Sequence, residues 1–132
     1  MEKKTRIIIS AAFVISLLPM LLPQYGGCRG VQEISGLVNL SNPVGIISVI
    51  LFFAGILFEK KHMGLIGCIG VAASEIFEFL TWHIMTISGQ FSLETSFRLA
   101  YPEFYIGLAA SAAMIVLYCF LVFRKEPDDR EK

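Results

Sequence analysis

Two carboxylates interrupt one of the most apolar stretches of the chain, "AASEIFEFLTWH" at 72–83, where Glu75 and Glu78 stand among aliphatic and aromatic residues. On a helix, side chains three positions apart share a face, with Cβ atoms ~5–6 Å apart. In a low-dielectric medium two carboxylates that close do not both ionise readily. The spacing therefore admits four kinds of chemistry: sharing a proton, holding a cation between them, bonding to neighbouring hydroxyls, or receiving a cationic side chain from another helix or a partner. His83 lies one turn further on, and Arg98 is the nearest candidate counter-ion by topology, with Arg29 second.

Catalysis finds little support in the remaining residues. His62 and His83 fall at opposite ends of the same apolar run, and no Ser–His or Cys–His pair shares one depth. Glu78 and His83 are five apart, a spacing that does not align on a helix face. Cys28, Cys68 and Cys119 are odd in number and without repeated spacing, which argues against a disulfide framework and a zinc site. The expectation is no catalytic residue, no metal and no cofactor.

The elements that must carry these residues are apolar helices. Of the 132 residues 55% are hydrophobic, only 17% are charged, and net charge is zero. A soluble domain of this size is nearer a quarter charged. With no broad basic surface, nucleic acid is not an expected partner. Four apolar runs, at 7–22, 44–58, 63–87 and 104–123, predict an all-α, polytopic bundle of four transmembrane helices, followed by a charged tail at 124–132. The second run is ~22 Å long as a helix and is expected to borrow residues from "GLVNL" before it. Pro19 predicts a kink in the first helix, and "SNP" at 41–43 offers Ser41 or Asn42 as an N-cap before Pro43.

Charge placement predicts orientation. Lys3, Lys4, Arg6, Lys60, Lys61, Arg124, Lys125, Arg130 and Lys132 fall on one side; Arg29 and Arg98 fall on the other. Both termini are thus expected in the cytoplasm of a cell membrane. Tyr25, Trp82, Phe97, Tyr101 and Tyr105 gather toward the outer boundary, and "FSLETSFRLAY" there is expected to form a short amphipathic turn on the membrane surface. The start resembles a secretory signal, and "YGGC" at 25–28 a lipoprotein processing site. Tyr25 replaces the branched aliphatic residue such sites want, so an uncleaved first helix is expected.

Helix 3 is expected to be central. Gly64, Cys68, Val71, Glu75, Glu78 and Trp82 follow one seam, and Gly64, Gly67 and Gly70 allow close backbone approach. Gly107 and Ser111 give helix 4 a small-residue face. The functional expectation is a non-catalytic accessory or interaction subunit, in contact with the lipid bilayer and with another membrane protein or a second copy of itself. The alternative is a proton- or cation-coupled small transporter or channel using Glu75 and Glu78. Glu75, Glu78, His83 and Arg98 are the candidates for ion binding or partner docking.

Overall fold

A computed structural model describes residues 1–26, 33–84 and 89–124. Among them the chain is mostly helical: α1 (Lys3–Leu17), α2 (Val38–Ser41), α3 (Pro43–Leu57), α4 (Lys61–His83), α5 (Leu93–Leu99) and α6 (Pro102–Val122). Three helical stretches are long and apolar enough to cross a membrane: Lys3–Leu21, Lys61–His83 and Pro102–Val122. Pro43–Leu57 is also apolar but has only 15 residues. Arg29, Cys28, the end of the third apolar run at 85–87 and the tail from 125 onward lie outside the described residues.

Helix boundaries follow local chemistry. The α-helical turn of α1 gives way at Pro19, which lacks an N–H, to a 3₁₀ turn at Leu18–Leu21. Ahead of α3, Asn42 is extended, its side chain accepts from the Gly45 N–H at 2.8 Å, and Pro43 fills the first turn. "GLVNL" does not extend α3; it forms the separate turn α2, because Asn42 and Pro43 break the helix between them.

The turn from α3 to α4 is closed by a left-handed residue. Glu59 has φ 57°, and the Lys60 N–H bonds back to the Gly55 carbonyl at 2.9 Å. Glycine would adopt that conformation more cheaply, but the Glu59 carboxylate takes the Arg6 guanidinium at 3.1 Å. That pair ties the start of α1 to the α3–α4 turn. At the same end the Tyr118 hydroxyl of α6 donates to the Lys61 carbonyl at 2.9 Å.

The helices meet where side chains are small. Gly55 lies directly against the Gly64 backbone, Gly67 against Phe52 and Ser48, and Gly70 against the Ser48 side chain. This makes α3 and α4 a tight antiparallel pair. Helix α6 packs on α4, and α1 packs on α6. Phe13 of α1 reaches α3, its ring stacked on Phe52 at 3.7 Å between centroids.

Two apolar clusters fill the interior. One, around Ile9, Phe13, Phe52, Cys68, Met114 and Tyr118, lies toward the α3–α4 turn. The other, around Tyr25, Phe79, Trp82, Leu99 and Phe104, lies at the opposite end. Over that second cluster the connections form a cap that the apolar runs do not announce. Strand β1 (Pro23–Tyr25) pairs antiparallel with β2 (Ile34–Ser35), and Tyr25 also bridges to Ala100. The Tyr101 N–H donates to the Gln24 carbonyl at 2.9 Å, joining the two connections. α5 buries Ser96 and Leu99 and exposes Leu93 and Phe97.

Because the nearest obstacle to a Cβ at Gly55 is backbone, Gly55→Ala cannot be relieved by a rotamer change. We expect it to destabilise the chain by about 1–3 kcal/mol despite alanine's better helix propensity, read as a fall in the thermal midpoint of purified protein in detergent.

Candidate functional site

Between the two apolar clusters runs a layer of polar side chains, and Glu75 lies in it at 1% exposure. Glu75 turns toward α6, where the Ser111 hydroxyl donates to its Oε1 at 2.6 Å. Its other oxygen, Oε2, is buried with no hydrogen-bond partner. Glu78, one turn on and half-buried, turns instead toward the start of α3. Its Oε1 accepts from Asn42 Nδ2 at 2.9 Å, beside the positive end of that helix. The two carboxylates thus share a helix face yet engage different neighbours.

Asn42 is the hinge of this arrangement. Its side-chain oxygen caps α3, while its amide nitrogen serves both Glu78 and the Ser74 hydroxyl, the latter at 2.7 Å. Ser74 in turn donates to the Asn39 carbonyl. The Asn39 side chain is fully buried. It accepts from the Tyr25 hydroxyl at 3.1 Å and donates to Gln24 Oε1 at 2.8 Å. Gln24, also fully buried, donates to the Pro19 carbonyl at 3.3 Å, with its amide lying over Gly107 of α6. A continuous set of hydrogen bonds therefore runs from the end of α1 through the cap to α4.

Other sequence-derived candidates sit elsewhere. His83 is fully buried, its Nε2 2.7 Å from the Ser96 hydroxyl of α5, and so ties the end of α4 to the cap. Arg98 lies on the exposed side of α5. Both ion pairs among the described residues end on Glu59, and a hydroxyl and an amide, rather than Arg98, donate to Glu75 and Glu78. Gly64 faces Tyr118, and Ser111 is buried as the donor to Glu75. Among the described residues no three His, Cys, Asp or Glu gather as a metal set.

Sequence reasoning missed Gln24 and Asn39. Each stands alone inside an apolar stretch, "LLPQY" and "GLVNL", and a lone amide in such surroundings is the signal that marks a buried hydrogen-bonding role. Burial raises the Tyr25 phenol above its ordinary value, and Glu75 and Glu78 add to it; the phenol donates to the Asn39 oxygen, a bond that only its protonated form can make. Comparison with known proteins returns no matching family, no matching curated protein and no matching solved structure.

Two outcomes test this geometry. Glu75→Gln keeps an acceptor for Ser111, whereas Glu75→Leu leaves that buried hydroxyl unpaired; the Gln variant should be the more stable by about 1–3 kcal/mol in thermal unfolding. For Tyr25 the folded chain keeps its proton past the pH at which the unfolded chain ionises, about 10. The unfolded state then binds fewer protons, so stability is intact below pH 10 and falls above it. Tyr25→Phe should flatten that alkaline loss while lowering stability at neutral pH, both read from thermal midpoints across pH.

Proposed function

We propose that this chain is a four-span protein of the cytoplasmic membrane, with both termini in the cytoplasm, serving as a non-catalytic interaction subunit. The engagement of Glu75 by Ser111 and of Glu78 by Asn42 carries this reading. Carboxylates held this way knit helices together and present no substrate-sized set of charges. The outward helix faces, with Ile47, Ile50, Ile66, Val116 and Phe120 all exposed, suit lipid or the apolar helices of another membrane protein. Placement of the α1 start, the α3–α4 turn and the α6 end together supports a common side for the Lys- and Arg-rich segments. α3 serves as the fourth span despite its length.

A second reading, a proton- or cation-coupled small transporter, is favoured by one observation, the buried and unbonded Oε2 of Glu75. Such an oxygen is a place for a proton or a small cation. Purified protein in liposomes with an imposed pH or sodium gradient separates the two. The subunit reading expects dissipation no faster than in empty liposomes. Dissipation that Glu75→Gln abolishes, in a variant that unfolds at the wild-type temperature, would establish transport instead.

A further inference from the structure

α1 packs inward through Ile9, Phe13 and Ser16 and leaves its opposite flank bare. Along that flank lies a shallow, open strip formed by α1 alone. Its length is mostly apolar, formed by Ile7, Ala11, Val14 and Ile15 with Ser10 among them, while Lys3 and Arg6 stand at one end. We propose that this strip seats one anionic phospholipid, its acyl chain along the apolar length and its phosphate against Lys3 and Arg6. The inference rests on the membrane-spanning reading above.

Three features at the cationic end suit a phosphate. Arg6 spends Nη1 on Glu59 at 3.1 Å and Nη2 on the Leu57 carbonyl at 3.4 Å, which leaves other donors of its guanidinium for a ligand. Lys3 is exposed. The first turn of α1 has no acidic residue, and the Glu2 side chain makes no capping bond, so no side chain offsets the positive end of this 15-residue helix beside the two cations. The nearby acids are Glu2 and Glu59, and Glu59 is already paired with Arg6.

A second copy fits this surface poorly. Copies inserted with the same orientation and related by a two-fold axis would bring Lys3 and Arg6 of one against Lys3 and Arg6 of the other. Like charges meet there, whereas an anionic lipid brings the opposite charge and an acyl chain together.

Native mass spectrometry of the detergent-released full chain, titrated with phosphatidylglycerol or phosphatidylcholine of the same acyl chains, tests the proposal. We expect phosphatidylglycerol to be retained at least tenfold over phosphatidylcholine. Lys3→Gln should lower that retention about fivefold, and Lys4→Gln, outside the strip, should leave it unchanged. Ala11→Phe, at an exposed position, should abolish retention with charge and thermal midpoint intact. Glycerol phosphate should not displace the lipid. Equal retention of the two lipids, equal loss in Lys3→Gln and Lys4→Gln, full retention in Ala11→Phe, displacement by glycerol phosphate, or a dimer that Ala11→Phe dissociates would each overturn the seat. Failure of the membrane reading looks different: alkaline carbonate would then strip the chain from membranes, irrespective of lipid preference.

Discussion

A polar group withdrawn from water must find another polar group, and the interior of this chain is organised around that demand. Ser74, Glu75, Asn39, Gln24 and Ser111 are all buried, and each is bonded to a residue distant in sequence. Between α4 and α6, apolar packing alone would let one helix slide or rotate against the other at small cost, since lipid-like side chains are interchangeable neighbours. The hydrogen bonds do not permit this. Ser111 has to stand opposite Glu75, and Asn42 opposite both Ser74 and Glu78.

The same demand shapes the cap. Backbone between helices has no ladder of its own and is costly to leave unpaired near an apolar cluster. Here β1 takes β2 on one side and the segment around Ala100 and Tyr101 on the other. The aromatic cluster beneath, with Phe79 and Phe104 stacked at 4.7 Å and Tyr25 over Trp82 at 5.4 Å, gives that cap an apolar floor. His83 adds a side-chain tie to α5 through Ser96. Cap and helices are thus one hydrogen-bonded object.

The long helices were legible because continuous apolar runs leave few alternatives, and "SNP" marked the start of α3 through a cap and a proline. The seam from Gly64 to Trp82 was legible as a helical spacing. The divergence of Glu75 and Glu78 was not, because an i, i+3 spacing defines a shared face and carries no information about which helix stands opposite each residue. The cap was hidden for a related reason. Strands of three and two residues have no measurable period, and their pairing with residues near 100 depends on how the helices are arranged. The choice of glutamate at the left-handed position 59, where glycine would be cheaper, likewise rests on its long-range bond to Arg6, which no local propensity reports.

The length of α3 has a consequence for the surrounding lipid. Fifteen residues rise ~22 Å, against a hydrocarbon core of ~30 Å. Gly55 and Gly64 lock α3 to the longer α4, so α3 is not free to shift along its neighbour to seek a better depth. On the four-span reading, the bilayer therefore has to pinch inward beside α3. That local thinning would favour residence in a thinner membrane, or contact with a neighbour whose own apolar belt is equally short.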